Sequence, residues 1–308
     1  MPSETETNDS KTTADSISSG VAIEGQLATS SDVDYYKFTV SSSGSVSISL
    51  DTPTNSSTDY FKFALYDASN NNLGQYETGR DTTATFGLAV AGTYYLKLES
   101  GGTYYHDDGQ YSITPSFTAG NASGFESESN DSVLTADAIT SGIAIKGQLG
   151  TSSDKDYYKF TASSSGSVSI SLDTPTNSST DYFKFSLYDA SNNNLGQYST
   201  GKDLITSLGI SSAGTYYLKL ESGGTYYHDS GQYSVTASLT SGNASSFETE
   251  SNDSTISADT ITSGSSIKGQ LATSSDTDYF KFTATSSGSI TIDLDTPTNS
   301  STDYYKFS

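Results

Sequence analysis

The sequence predicts an all-β protein assembled from tandem antiparallel β-sandwiches of about 122 residues. Two observations carry the prediction. Apolar residues alternate with polar ones at period two over short stretches, the pattern of half-buried strands, and turn residues separate those stretches. The pattern then recurs, because Glu4, Glu126 and Glu248 open equivalent stretches spaced 122 residues apart, with no net insertion between them. A unit of that size can bury its own core, unlike the roughly 20–45-residue units of solenoids.

The organisation expected is one repeat over residues 1–120, a second over 121–242, and the first half of a third over 243–308. Ser308 is equivalent to Ser186 and Ala64, about halfway through the unit. The last stretch, Asp303-Tyr304-Tyr305-Lys306-Phe307, matches a strand of the earlier copies, and stopping there leaves apolar edges unpaired. The chain is therefore expected to be an excerpt from a longer array.

Within the second repeat the elements follow in order. Gly120-Asn121-Ala122-Ser123-Gly124 reads as a flexible linker, and Asp131-Ser132 as the cap of a short helical turn through Ala138. Ile143, Ile145 and Gly147 then alternate with polar or smaller neighbours, as do Tyr158 and Phe160. Val168, Ile170 and Leu172 alternate with serines, the plainest half-buried strand. Pro175-Thr176-Asn177-Ser178-Ser179 turns into a strand with Phe183, Phe185 and Leu187 inward, and Asn192-Asn193-Asn194 turns again. Short strands follow at Leu195 to Tyr198 and Leu204 to Ile210. Ala213-Gly214 leads into Tyr216, Leu218 and Leu220, and Tyr233, Val235 and Ala237 close the unit. About eight short strands between turns make an antiparallel sandwich.

Composition narrows the function. The net charge of -22, from 36 acidic and 14 basic residues, argues against nucleic acid and anionic membrane surfaces, both of which attract clustered Lys and Arg. With no Cys there is no disulfide framework, thiolate metal site or thiol nucleophile. No apolar run reaches the length of a membrane span. Met1-Pro2-Ser3 leads straight into the acidic motif, so any secretory signal is expected outside this chain.

The acidic motif is the strongest chemical signal. It reads Glu4-x-Glu6-x-Asn8-Asp9, Glu126-x-Glu128-x-Asn130-Asp131 and Glu248-x-Glu250-x-Asn252-Asp253. Each copy is followed, 23 residues after its last Asp, by a second pair: Asp32 and Asp34, Asp154 and Asp156, or Asp276 and Asp278. In an extended chain Glu126, Glu128 and Asn130 share a face. Five carboxylates and an amide oxygen gathered per repeat would repel without a counter-ion. Hard oxygens in this number suit calcium, so a calcium site is expected at the start of each repeat.

These residues resemble the bacterial and archaeal pre-peptidase C-terminal domain family. The resemblance rests on Glu126-x-Glu128-x-Asn130-Asp131, Gly147-x-Leu149, Asp154-x-Asp156-Tyr157-Tyr158-x-Phe160 and Val168-x-Ile170-x-Leu172. It continues through Phe185-x-Leu187-Tyr188-Asp189, Ala213-Gly214-Thr215-Tyr216-Tyr217 and Gly231-Gln232-Tyr233. It implies a jelly-roll-like sandwich appended to secreted proteins, similar to the collagen-binding domain of clostridial collagenases. There the acidic linker and the Asp pair hold calcium, which here implies Glu126, Glu128, Asn130, Asp131, Asp154 and Asp156 as ligands, with their equivalents in the other repeats. Family members commonly carry Pro after the second Glu; Thr7, Ser129 and Ser251 stand there instead.

Other signals are weaker. His106 and His228 each sit alone in Tyr-Tyr-His-Asp and read as loop residues; no serine lies in a nucleophile elbow, so no catalytic residue is expected. Asp189 to Asn194 reads as a turn, lacking the Gly and closing Glu of a calcium loop. Asn55, Asn121, Asn177, Asn243 and Asn299 lie in sequons. The 23 tyrosines, among them Tyr157, Tyr182, Tyr217, Tyr226 and Tyr227, either stiffen the outer face by cross-strand pairing or offer an aromatic platform to a glycan or fibrous protein. The function expected is a calcium-stabilised segment of a secreted or cell-surface stalk, adhesin or filament, whose partners are neighbouring repeats or copies of itself. The alternative is a polymer-binding accessory module of a secreted hydrolase.

Overall fold

The structure is a computed structural model and describes residues 1–102, 104–297 and 304–308; the Asn299 sequon and Asp303 lie outside the described residues. The chain is all-β. In the first repeat the strands are β1 (Asp15–Ser16), β2 (Ile23–Gly25), β3 (Val33–Val40), β4 (Gly44–Asp51), β5 (Phe61–Tyr66), β6 (Asn72–Thr78), β7 (Thr82–Leu88), β8 (Gly92–Ser100) and β9 (Tyr111–Ala119). They form a five-stranded sheet in the order β1-β3-β8-β5-β6 and a four-stranded sheet in the order β2-β9-β4-β7. Only β1 runs parallel to its neighbour.

The second repeat reproduces this plan. Its strands are β10 (Asp137–Ala138), β11 (Ile145–Gly147), β12 (Lys155–Ala162), β13 (Gly166–Asp173), β14 (Phe183–Asp189), β15 (Asn194–Thr200), β16 (Leu204–Ile210), β17 (Gly214–Ser222) and β18 (Tyr233–Ser241). They pair as β10-β12-β17-β14-β15 and β11-β18-β13-β16. The period-two reading places the core correctly: Val168, Ile170 and Leu172 are buried against Phe183, Phe185, Leu187, Leu218 and Leu220. The first repeat has a separate core of the same make-up.

Three details depart from the sequence reading. Ser132 to Thr135 makes a single turn, closed by the Thr135 N–H on Ser132 O, and the chain re-enters a strand at Asp137 before a helix can propagate. Ile143 is exposed, as the last residue of the turn that its N–H closes on Thr140 O before β11. The linker is ordered: residues Ala122–Gly124 form a 3-10 turn, and the Asn121 side-chain amide donates to Ser45 Oγ at 2.8 Å. A Gly/Ser-rich stretch has no stiffness of its own; these contacts supply it.

In the third repeat β19 (Asp259–Thr260) pairs with β20 (Phe280–Lys281). Ile290, Ile292 and Leu294, whose equivalents Val168, Ile170 and Leu172 are buried, stand exposed, because the 308 residues hold no counterpart of β15 to β18 to cover them. Tyr304 to Ser308 is not in a strand for the same reason.

Candidate metal centre

The acidic motif is held at both ends. Its entry is tied to the flank of the four-stranded sheet by the Glu126 N–H on Lys146 O, and its exit to β12 by the Tyr157 N–H on Asn130 O. In between, the Ser127 N–H donates to Asp137 Oδ2 at 2.7 Å, and the Asn130 side-chain amide reaches the same oxygen at 3.3 Å. The third repeat repeats the clamp with Asp259. The peptide bond after the second Glu is cis in all three copies. Asp137 and its equivalents were not singled out in the sequence, yet they set the path of the motif.

Asp156 lies on the inward phase of β12, two residues before Tyr158, and is fully buried. Folding brings it to the motif. Ligand-capable oxygens of Glu126, Glu128 and Asp156 lie within 4.8 Å of one another, as do those of Glu248, Glu250 and Asp278. In the first repeat Glu4, Glu6 and Asp34 form the same group, and Glu6, Asp9 and Asp32 form a second that shares Glu6. Asp154 sits at the mouth, its Oδ2 accepting the Gly150 N–H at 2.6 Å and its Oδ1 the Lys155 N–H at 2.9 Å. Asp276 holds the Ala272 N–H in the same way. Glu128, Asp131 and Asp154 face Asn71, Asn72 and Gly74 of the preceding repeat across a cleft of about 300 Å³. Asp253 is exposed beside Asn252.

Two tyrosines buttress each cluster, and the sequence reading took Tyr158 and Tyr233 only as core. The Tyr233 hydroxyl donates to Asp156 Oδ2 at 2.5 Å, and the Tyr158 hydroxyl donates to Glu126 Oε2 at 3.0 Å while meeting the Tyr233 hydroxyl at 2.6 Å. Tyr111 and Tyr36 do the same for Asp34 and Glu4. A Cβ on Gly147 would run into Glu126 and both hydroxyls, so glycine is required by the close approach.

The electrostatics are unfavourable for a bare protein. Burial pushes the Glu126 carboxyl up to about 8 and that of Asp34 up to about 8. Burial, reinforced by neighbouring carboxylates, raises Glu128 to about 9 and holds Asp156 well above the usual range. Glu248 and Glu250 rise, chiefly by burial, to about 9 and about 7. No Lys or Arg pairs with these groups among the described residues.

The decisive test of fit is hydrogen bonding. Among the described residues ten buried side-chain polar atoms lack a partner, and eight belong to this motif: Oδ1 of Asn8, Asp34, Asn130, Asp156, Asn252 and Asp278, with Glu248 Oε2 and Glu250 Oε1. Buried polar groups are nearly always satisfied, so each unsatisfied one demands an explanation. All eight are oxygens. A hard cation with irregular oxygen coordination fits that set; zinc, which prefers nitrogen and sulfur, does not.

Elsewhere, His106 Nδ1 lies 3.1 Å from Ser100 Oγ and His228 Nδ1 lies 3.1 Å from Ser222 Oγ, both in loops after β8 and β17. Tyr226 and its equivalent Tyr104 are each 93% exposed, Tyr157 and Tyr217 are half-buried on the outer face, and Tyr182, expected there too, packs half-buried against the core. No helix among the described residues is long and apolar enough to cross a membrane.

The profile of the bacterial pre-peptidase C-terminal domain matches residues 32–100 and 154–222. Each match begins at the first Asp of the second pair and ends with β8 or β17, so the Glu-x-Glu motif precedes it. Among solved structures, the pre-peptidase C-terminal domain of collagenase from Bacillus anthracis is similar at 25% identity, covering 33% of this chain and 93% of that one, with a TM-score of 0.28. A putative secreted protein from Eubacterium rectale is 16% identical over 70% of this chain and 72% of its own, with a TM-score of 0.23. The tandem CBM51 modules of a family 98 glycoside hydrolase from Streptococcus pneumoniae are 10% identical over 68% of this chain and 81% of theirs, with a TM-score of 0.24. No curated protein sequence matches the chain.

Proposed function

Because its two complete repeats belong to the bacterial pre-peptidase C-terminal domain family, we propose that this chain is a calcium-stabilised repeat segment of a secreted or cell-surface stalk, adhesin or filament. The domains in this reading are residues 1–120, 121–242 and 243–308. The observation that carries it is the set of eight buried oxygens without a hydrogen-bond partner, all in the acidic motif. Glu126, Glu128, Asn130, Asp131, Asp154 and Asp156 would hold the ion in the second repeat, as Glu4, Glu6, Asn8, Asp9, Asp32 and Asp34 would in the first. Glu248, Glu250, Asn252, Asp253, Asp276 and Asp278 would do so in the third. Calcium supplies the positive charge that the cluster lacks, and the chain contributes the cage.

Binding to the folded state alone stabilises by about 2.7 kcal/mol when the free ion is at 100 times its dissociation constant. Calorimetry of the chain with calcium or chelator tests this. The melting temperature should rise with calcium, most of the second repeat's gain should vanish in Asp154→Ala, and His228→Ala should keep it. Equal melting temperatures with ion and chelator would end the proposal.

A second reading is favoured by one observation. Tyr104 and Tyr226, each followed by a half-exposed tyrosine, stand almost wholly in solvent at equivalent places, as an aromatic contact for an insoluble glycan or protein polymer requires. Retention on such a polymer that is lost in the Tyr104→Ala, Tyr226→Ala double variant would support a polymer-binding accessory module.

A further inference from the structure

Both joints between repeats are made by the same pair of glutamines. β6 is an edge strand, and its register with β5 shifts between Leu65 and Tyr66. The shift, at Gly74 with φ +136°, leaves the backbone of Gln75 facing outward. The carboxamide of Gln148 then pairs with it as a peptide group would: Oε1 accepts the Gln75 N–H at 2.7 Å and Nε2 donates to Gln75 O at 2.6 Å. Gln75 answers with its own side chain, Nε2 donating to Gly150 O at 2.8 Å. On the other sheet, Gln232 Nε2 donates to Thr85 O of the edge strand β7 at 2.8 Å.

The second joint repeats the arrangement. Gln270 Oε1 accepts the Gln197 N–H at 2.9 Å, Gln270 Nε2 donates to Gln197 O at 2.6 Å, and Gln197 Nε2 donates to Ala272 O at 2.5 Å. A Cβ on Gly74 or Gly196 would collide with the incoming Gln oxygen, and both glycines hold positive φ. Beside this pairing, Gly87 backs onto Phe125 and Gly209 onto Phe247. An edge strand presents unpaired N–H and C=O groups, and here a glutamine of the next repeat covers one pair of them.

The first repeat carries the same key. Gln26 occupies the place of Gln148 and Gln270, and its Nε2 donates to Asp108 O as Gln148 Nε2 donates to Ser230 O. Yet Gln26 is exposed where Gln148 is only 4% exposed, and among the described residues its Oε1 has no hydrogen-bond partner. Ala28, equivalent to Gly150, is exposed as well, whereas Gly150 is buried.

We propose that the face of the first repeat around Gln26 and Ala28 is a docking surface for the outer edge strand of another β-sandwich of this kind, one whose Asn-x-Gly-Gln edge has a free Gln backbone. Continuity with the two joints supplies the occupant, since the same carboxamide meets the same edge twice within this chain. The acidic cluster holds this face from behind: the Gln26 N–H donates to Glu4 Oε1 at 2.6 Å and the Ala28 N–H to Asp32 Oδ2 at 2.7 Å. Ser3 stands where Phe125 and Phe247 pack, so this face keeps the carboxamide contacts and lacks the aromatic one. A tethered joint stays closed only if its intrinsic dissociation constant lies below the effective concentration set by the linker, about millimolar. Millimolar affinity is therefore the scale expected.

The fragment 1–242 is the probe. Its two cores, reaching from Ile17 to Phe117 and from Ile139 to Leu239, are both complete. It presents Gln26 and, with Gln270 removed, an open Gln197 edge. Raising its concentration through about 1 mM, with the calcium level held fixed because the Gln26 and Ala28 amides donate to Glu4 and Asp32, should shift the backbone amide resonances of Gln26, Ala28 and Gln197 together. Gln26→Ala and Gly196→Val should each abolish the shifts, and Gln26→Ala, an exposed change, leaves the fold intact. The chain 1–308, whose Gln197 edge is covered by Gln270, should show none. Unmoved Gln26 and Ala28 amides, or undiminished shifts in Gln26→Ala, would overturn the proposal.

Discussion

If the acidic cluster holds calcium as proposed, the ion should displace protons when it binds. In the second repeat three carboxyl groups have oxygens within 4.8 Å of one another. At an effective dielectric constant near 20, each ionised pair at that separation costs about 3.5 kcal/mol, so the ion-free cluster cannot keep all three charges. The outcome is the rise of Glu126 to about 8 and of Glu128 to about 9, with Asp156 also well above its usual range. At pH 7 the first two groups hold most of two protons, and coordination requires their carboxylates. Binding should therefore release about two protons from Glu126 and Glu128, with any carried by Asp156 in addition, and the apparent affinity should climb about tenfold per released proton per pH unit. Titration calorimetry in buffers of differing ionisation enthalpy reads the number directly as a slope. Glu128→Gln should lower it by about one proton. A binding enthalpy independent of buffer, in a chain that demonstrably binds calcium, would refute the electrostatic account.

Three further outcomes follow from the same geometry. Carboxyl groups raised by folding contribute stability that is present in full below their unfolded pKa, near 4, and lost as pH rises through their folded values. With chelator present, the melting temperature should thus fall as pH rises from about 4 to about 9, the fall ending as Glu250, Asp34, Glu126, Glu128 and Glu248 pass their folded values, and calcium should flatten it. Tyr233→Phe removes the donor to buried Asp156 and should cost about 1–3 kcal/mol in the second repeat by denaturant unfolding. Asn55 and Asn177 donate their amide groups to Asp81 and Asp203, and Asn121 and Asn243 donate theirs to Ser45 and Ser167; treated with a glycosyl-transferring enzyme after folding, the chain should gain less mass at these sequons by mass spectrometry than the same chain treated unfolded.

The period-two pattern made the strands legible because each sheet buries one face, so Val168, Ile170 and Leu172 could occupy only one side. The acidic cluster was legible as composition and spacing. Its supports were not, although one clue was present: Asp156 shares the inward phase of Tyr158 and Phe160, and a carboxylate on a buried face must find donors or a cation. The hydroxyl of a core tyrosine is the obvious donor, and Tyr158 and Tyr233 were read only for their rings. The joints were hidden for another reason. A glutamine covering an edge strand leaves no periodic trace, and the Gly-Gln pairs at Gly74, Gly147 and Gly196 look like ordinary strand ends until the repeats are brought together. The linker was read from its own composition, whereas its order comes from residues as distant as Ser45.

The two joints stand in the same sequence relation, Gln75 to Gln148 and Gln197 to Gln270, each 73 residues apart. Whatever rotation and shift carries the first repeat onto the second therefore also carries the second onto the third. A single head-to-tail operation applied over and over generates a helix. Tyr104 and Tyr226 then lie on one helical path with a constant step, and every added repeat extends that path by one more exposed ring. A periodic polymer that matches the step would meet several weak contacts at once and be held by their number, while one out of phase would touch a single ring and slip away.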